Sequence, residues 1–306
     1  MSGSPPKYES KNLKTSSPTI NPPESRFIQT RDGLRLHYDD YQNLSATRLP
    51  LVCLPGLARS AKDFTRIAQH ANFHGRRVLA LDYRGRGLSD WDANWRNYAL
   101  DVEQKDIIET LDDAGISEAI FLGTSRGGMH VMRIADMYKT LVRGAILNDI
   151  GPKIENNGLV RIKRYVGKLP PLNSMSDAVA LLRMTAAVGF PGVDWEDWTT
   201  YAQQTFTEKD GKIILRYDPE LSHTLDNITI GGEYETYWDE FKALRDTPLL
   251  VIRGETSDIL STETVNEMRR QASHLTFVSV PGQGHAPLLL DQQTIGAIVE
   301  FLENCP

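Results

Sequence analysis

Short apolar runs alternate along this chain with longer segments of helical spacing. Near the amino end, RFIQT and LRLHYDDY flank the turn residues Arg31-Asp32-Gly33, which predicts an antiparallel hairpin with one covered face at a sheet edge. Further on, continuous apolar runs are typical of strands that are buried on both faces. These runs lie at residues 49–56, 77–83, 119–124, 143–151, 248–255 and 275–282.

Segments with helical spacing separate these runs. Alternating strands and helices favour a largely parallel sheet with helices on both faces. Together with the hairpin, the apolar runs give eight strands, so the sequence predicts an α/β fold with an eight-stranded, mostly parallel sheet. The predicted helices lie near residues 61–72, 99–115, 126–140, 262–272 and 292–303.

The stretch at 152–246 interrupts this alternation and is predicted to be mostly helical. An insertion after the sixth strand would form a cap over the ends of the strands, where α/β folds place ligands. The α/β core is then 26–151 together with 247–306, preceded by a polar, Ser- and Pro-rich tail at 1–25 that is predicted to be disordered. The cap aromatics either line the ligand site or form the cap's own core; they are Trp195, Trp198, Tyr201, Phe206, Tyr234, Tyr237 and Trp238.

Composition and charge narrow the class of protein. The 306 residues are 40% hydrophobic and 24% charged, as in an ordinary globular protein, and the net charge of −6 argues against nucleic acid as a partner. Cys53 and Cys305 suit neither a disulfide framework nor a zinc site, which predicts free thiols. With no signal peptide and no membrane-spanning run, we expect a cytoplasmic protein without a membrane partner; a homo-oligomer stays open.

The segment Gly123-Thr124-Ser125-Arg126-Gly127-Gly128 fits the G-x-S-x-G pattern of a nucleophile elbow. The pattern is short and can occur by chance in a Gly-rich loop. Here a predicted strand precedes it and a predicted helix follows, and the glycines remove Cβ atoms that would clash in so sharp a turn. Ser125 is therefore the candidate nucleophile.

A serine hydroxyl needs a base to take its proton and a carboxylate to orient that base. His285 follows the last predicted strand in a glycine-flanked loop near the carboxyl end, whereas His130 lies within the helix after the elbow and is expected to pack. Asp258 is the favoured acid because it follows the seventh predicted strand, which gives the chain order Ser, Asp, His. Glu255 and Asp149, which ends the sixth strand, are its rivals.

The tetrahedral intermediate of acyl transfer also needs two backbone N–H donors. One comes from the residue after the nucleophile, Arg126, and the other from the loop after the third strand, where Leu57 follows Pro55 and Gly56. The same loop also reads as a plain strand-to-helix turn, which does not conflict with this role.

From residue 26 to the end, the chain resembles the α/β-hydrolase superfamily, in the branch with a helical cap after the sixth strand. Four motifs carry the resemblance: PGL at 55–57, DYRGRGLSD at 82–90, GTSRGG at 123–128 and GQGHAP at 282–287. Many relatives have His where this chain has Pro55, which leaves the backbone donor in place. The resemblance implies that the DYRGRGLSD run is structural. Within the superfamily, the chain resembles the serine esterase- and lactonase-like members and is similar to enol-lactone hydrolases.

These residues predict a serine hydrolase that cleaves a small carboxylic ester or lactone through an acyl-enzyme on Ser125. No metal or organic cofactor is implied, and the expected partner is a small-molecule substrate. The same triad would serve a C–C bond hydrolase of ring-cleavage products or an acyltransferase. A hydrolase-fold receptor that signals through its cap is the alternative from another class.

Overall fold

The computed structural model describes residues 22–306. The predicted tail falls almost entirely outside the described residues, and the first strand begins at Glu24, just inside its predicted end. In chain order the strands are β1 Glu24–Gln29, β2 Arg35–Tyr41, β3 Leu51–Leu54, β4 Val78–Leu81, β5 Ala119–Thr124, β6 Val142–Asn148, β7 Phe206–Lys209, β8 Lys212–Leu215, β9 Leu249–Gly254 and β10 Thr276–Val280.

Nine α-helices lie in the described part of the chain, together with short 3-10 segments at Ala61–Phe64, Trp95–Asn97 and Pro219–Leu225. The helices are α1 Thr65–Phe73, α2 Leu100–Asp113, α3 Arg126–Met137, α4 Asn156–Lys163, α5 Met175–Ala186, α6 Trp195–Thr205, α7 Trp238–Lys242, α8 Thr262–Gln271 and α9 Gln292–Glu303. Within residues 22–306, no helix is both long and apolar enough to cross a membrane.

Eight strands form one sheet in the order β1-β2-β4-β3-β5-β6-β9-β10. Strand β2 runs antiparallel to both β1 and β4, and the remaining pairs are parallel. The predicted edge hairpin and the eight-stranded, mostly parallel architecture are therefore confirmed.

The sheet separates two apolar layers because successive side chains of each strand point to opposite faces. In β3, Val52 and Leu54 join the layer that also contains α2 and α3, whereas Leu51 and Cys53 join the layer beneath α1 and α9. All four side chains are fully buried. Both cysteines of the chain are buried free thiols, as predicted.

The segment between β6 and β9 is mainly helical, with α4 to α7, but it also contains the antiparallel β7–β8 hairpin, which was not predicted. A turn at Asp210 and Gly211 joins these strands, and both residues have positive φ, of 51° and 70°. Asp-Gly is a favoured pair for such a turn, so the local signal was present in the sequence.

Candidate active site

Ser125 occupies the sharp turn between β5 and α3, at the carboxyl edge of the sheet. Its φ of 52° and ψ of −115° are rare for a residue with a side chain, and such strain concentrates at functional sites. Two backbone hydrogen bonds fix the turn: Ser125 N–H donates to Asn148 O at 3.0 Å, and Gly128 N–H donates to Ser125 O at 2.9 Å.

The elbow is packed so closely that its glycines have no room for side chains. A Cβ at Gly123 would lie 2.5 Å from the backbone of Gly127, and a Cβ at Gly127 would lie 2.0 Å from Leu54 O. Real carbon atoms do not approach this closely. Glycine at positions 123 and 127 therefore lets α3 pack directly against β5 and against the end of β3. These contacts account for the glycines two positions before and two positions after Ser125.

His285 lies in the loop after β10 and reaches back over the sheet to Ser125. The Nε2 atom of His285 is 2.9 Å from Ser125 Oγ, within hydrogen-bond distance. Its Nδ1 atom is 2.8 Å from Asp149 Oδ2. The imidazole ring therefore bridges a hydroxyl and a carboxylate, an arrangement in which one nitrogen can accept the serine proton while the carboxylate orients the other.

The structure corrects the predicted acid: Asp149, not Asp258, contacts His285. Asp149 follows β6 directly and is fully buried. Its Oδ1 accepts a hydrogen bond from Gly254 N–H at 2.7 Å, and its Oδ2 accepts one from Ser257 Oγ at 2.6 Å. The carboxylate is thus fixed on three sides, and Ser257 is a partner that no sequence motif indicated.

Asp258 instead pairs with Arg161 of α4, whose Nε and Nη2 lie 2.6 Å and 2.7 Å from its two carboxylate oxygens. Burial would raise the pKa of Asp258, but Arg161 outweighs burial and brings that pKa below its ordinary value. The other rival, Glu255, accepts a hydrogen bond from Gly282 N–H at 2.9 Å and so supports the histidine loop.

The loop after β3 lies against the elbow, as an oxyanion hole requires. A Cβ built on Gly56 would be 3.8 Å from Ser125 Cβ. Within residues 22–306, the backbone N–H groups of Leu57 and Arg126 donate no hydrogen bond to another protein group. Both groups are available to a ligand, and their role as oxyanion donors stays a prediction.

Comparisons with known proteins agree with this geometry. The family model of the α/β-hydrolase fold matches residues 50–171. A protein of Cupriavidus necator named 3-hydroxybutyrate-oligomer hydrolase is 31% identical over 287 residues, which cover 91% of this chain and 97% of that protein. This chain belongs to the α/β-hydrolase family.

Two further proteins similar to this α/β-hydrolase are a solved α/β hydrolase and a protein named as a hydrolase. The crystal structure of an α/β hydrolase from Novosphingobium aromaticivorans has a TM-score of 0.85 and 35% identity, and the match covers 92% of this chain and 98% of that one. A 2-(acetamidomethylene)succinate hydrolase of Mesorhizobium japonicum is 27% identical over 235 residues, which cover 74% of this chain and 78% of that protein. The protein is therefore an enzyme of the hydrolase class.

The segment between β6 and β9 of this hydrolase touches the histidine loop directly. Gly192 N–H donates to Gly282 O at 2.9 Å, and Thr256 Oγ1 donates to Gly189 O at 2.8 Å. A Cβ on Gly282 would lie 2.8 Å from the Gly192 backbone, so the two loops meet with no side chain between them at this point. The segment between β6 and β9 thereby supports the histidine loop and the loop after β9.

The cap aromatics divide between a core and a surface. Trp198 and Phe206 are each 3% exposed and belong to the main apolar core, whereas Trp195 is 60% exposed. Tyr201 stacks under the guanidinium of Arg59, which lies 4.2 Å from the ring centre and comes from the loop after β3. Packing is therefore the role that the structure gives to Trp198 and Phe206.

Proposed function

We propose that this hydrolase cleaves a small carboxylic ester or lactone through an acyl-enzyme on Ser125. The observation that carries the proposal is the continuous relay from Ser125 Oγ to His285 Nε2 at 2.9 Å and from His285 Nδ1 to Asp149 Oδ2 at 2.8 Å. Such a relay activates a weak nucleophile at neutral pH.

The first half of the reaction forms the ester of Ser125. His285 Nε2 takes the hydroxyl proton as Ser125 Oγ attacks the substrate carbonyl carbon, and the Asp149 carboxylate stabilises the resulting imidazolium. The N–H groups of Leu57 and Arg126 donate to the tetrahedral oxyanion. The intermediate then collapses, the bond to the alcohol oxygen breaks, and His285 gives its proton to that oxygen.

The second half returns the enzyme to its starting state. Water gives a proton to His285 Nε2 and attacks the acyl carbon, which forms a second tetrahedral intermediate in the same hole. That intermediate expels Ser125 Oγ, which recovers its proton from His285, and the carboxylic acid leaves. For a lactone, the alcohol and the acid are the two ends of one product.

The names of the relatives and the position of the cap support the proposed substrate class. The name of the Cupriavidus necator relative, 3-hydroxybutyrate-oligomer hydrolase, makes short hydroxy-acid esters the first group to assay. We assign residues 152–246 to a cap that restricts the size of the acyl group. Two hydrogen bonds support this assignment: Gly189 O accepts from Thr256 in the loop after β9, and Gly192 N–H donates to Gly282 in the histidine loop.

The test compares the wild type with Ser125→Ala on p-nitrophenyl esters of increasing acyl length, on small lactones, and on the dimer and trimer of 3-hydroxybutyrate. Ser279→Ala is the matched control because Ser279 is an exposed serine on β10. We expect Ser125→Ala to lower kcat by about four orders of magnitude or more, and Ser279→Ala to leave it unchanged. Wild-type turnover no greater than that of Ser125→Ala on every substrate would overturn the proposal.

A further inference from the structure

A fully buried carboxylate lies beneath the elbow and contacts three basic side chains. Glu103 of α2 accepts from Arg126 Nε at 2.6 Å and from His130 Nε2 at 3.1 Å through the same oxygen, Oε2. Its other oxygen, Oε1, is 2.7 Å from Nη1 of Arg86. Burial would raise the pKa of Glu103, but Arg126 and Arg86 outweigh burial and hold that pKa below its ordinary value, so the group is an anion.

Arg86 connects this carboxylate to the loop after β3. Its side chain is fully buried. Its Nε donates to Leu57 O at 2.8 Å, and its Nη1 also donates to Arg84 O at 2.7 Å. One guanidinium therefore contacts both the carbonyl of Leu57 and the carboxylate that binds Arg126.

These contacts join the two residues whose N–H groups line the proposed oxyanion hole. Arg86 binds the carbonyl oxygen of Leu57, the residue whose own N–H lines the hole. Glu103 binds the side chain of Arg126, the other residue whose N–H lines the hole. The chain of contacts runs from one donor residue to the other without passing through Ser125, His285 or Asp149. No other assigned function uses Arg86 and Glu103.

We propose that the Arg86–Glu103 ion pair is a positioning unit that sets the spacing of Leu57 and Arg126 around the oxyanion. This inference rests on the proposed function, because it needs an oxyanion to form between those residues. Glu103 Oε1 and Arg86 Nη1, 2.7 Å apart, form a buried ion pair that resists displacement, because breaking it would leave an uncompensated charge. An error of about 1 Å in the placement of catalytic groups can cost about a hundredfold in rate.

The test is Arg86→Lys, which keeps the charge but cannot bind Leu57 O and Glu103 with one planar group. Arg84→Lys is the matched control. Arg84 is also buried, at 1% side-chain exposure, and also binds a carboxylate of α2, with Nε and Nη2 at 2.6 Å and 2.7 Å from Asp106. The side chain of Arg84 hydrogen-bonds to neither Leu57 nor Arg126 in the described chain.

We expect Arg86→Lys to lower kcat by about ten- to a hundredfold with little change in KM, since misplaced oxyanion donors weaken the transition state selectively. Affinity for a trifluoromethyl ketone, whose adduct with serine carries an oxyanion, should fall by a similar factor. Arg84→Lys should lower Tm comparably while kcat stays within about twofold of wild type. Equal kcat losses in the two variants, or an Arg86→Lys effect confined to KM or Tm, would overturn the positioning role.

Arg126→Lys is the second variant, used if Arg86→Lys does not fold. It keeps the backbone N–H and a positive charge, and the Arg126 side chain is only 13% exposed. The same selective loss of kcat and of trifluoromethyl ketone affinity is expected, and unchanged values would overturn the inference. Failure of the proposed function gives a different result, because Ser125→Ala would then keep wild-type turnover whatever the Arg86 variant does.

Discussion

The carboxylate of Asp149 lies 2.8 Å from His285 Nδ1, although the two residues are 136 positions apart in the chain. Asp149 follows β6, and two groups hold its carboxylate: the N–H of Gly254, which ends the adjacent parallel strand β9, and Oγ of Ser257 in the loop after β9. The carboxylate that contacts His285 thus follows one strand, and the groups that hold it come from the neighbouring strand and its loop.

Asp149→Asn should lower kcat by about four orders of magnitude, because the amide cannot stabilise the imidazolium and favours the wrong tautomer of His285. Asp258→Asn is the matched control, since the Asp258 carboxylate pairs with Arg161 and forms no hydrogen bond with His285 in the described chain. We expect it to keep kcat within about tenfold of wild type. Measurement of kcat and KM for both variants checks this; a larger loss in Asp258→Asn would contradict the assignment.

Gly127→Ala should destabilise the fold by about 3 kcal/mol, because the added carbon would lie 2.0 Å from Leu54 O in a packed core. Gly296→Ala is the control: it lies in α9 with no neighbouring atom within 4 Å of the added carbon. There, alanine should stabilise by about 0.5 to 1 kcal/mol through its helix propensity. Urea unfolding of both variants gives the free energies, and a fully stable Gly127→Ala would refute the close approach.

His37 should make stability decline in alkaline solution. Burial lowers the pKa of His37, but hydrogen bonds to Asp39 and Asp82 outweigh burial and raise it from 6.5 to about 9. Because the pKa is higher in the folded state, stabilisation by the charged ring is complete below pH 6.5 and is lost as the pH rises through about 9. The slope from this group is at most about 1.4 kcal/mol per pH unit.

Unfolding free energies between pH 6 and pH 10 test the role of His37, with His37→Gln as the comparison. The neutral variant should be less stable at pH 6 and should lose less stability on the way to pH 10 than the wild type does. Parallel curves for the two proteins would show that His37 does not carry the effect.

Trp198→Ala should cost about 3 to 5 kcal/mol of unfolding free energy, since the ring is 3% exposed and packs edge-on against Phe190 and Tyr201. Trp195→Ala, on the same helix but 60% exposed, should cost no more than about 1 kcal/mol despite its stacking with Arg183. Denaturant unfolding compares the two. Equal losses would mean that Trp198 does not belong to the core.

The sequence predicted the sheet well because its central strands are buried on both faces and are therefore continuous apolar runs. It also predicted Ser125 and His285, whose surroundings are local: a strand, a turn and a helix for one, a glycine-flanked loop for the other. The sequence near each candidate did not indicate which carboxylate contacts His285. Asp149 and Asp258 both follow strands that end at the same edge, and only the structure shows that Asp258 pairs instead with Arg161, 97 positions away in the chain.

Contacts between distant segments explain the other misses. Ser257 acts on Asp149 across 108 positions, and no motif marks it. Glu103 looks like one more charged residue of an amphipathic helix, and only the structure shows that it is fully buried between Arg86 and Arg126. The β7–β8 hairpin differs, since Asp-Gly is a local signal that favours a hairpin turn, whereas the segment as a whole was predicted to be mostly helical.

The most direct test of the central claim is the site of covalent labelling by a fluorophosphonate, read by intact mass and by peptide mapping. If His285 and Asp149 activate Ser125, we expect one adduct per chain, on the peptide that contains Ser125, and no adduct in Ser125→Ala. Absence of labelling in the wild type, or an adduct on any other residue, would contradict it.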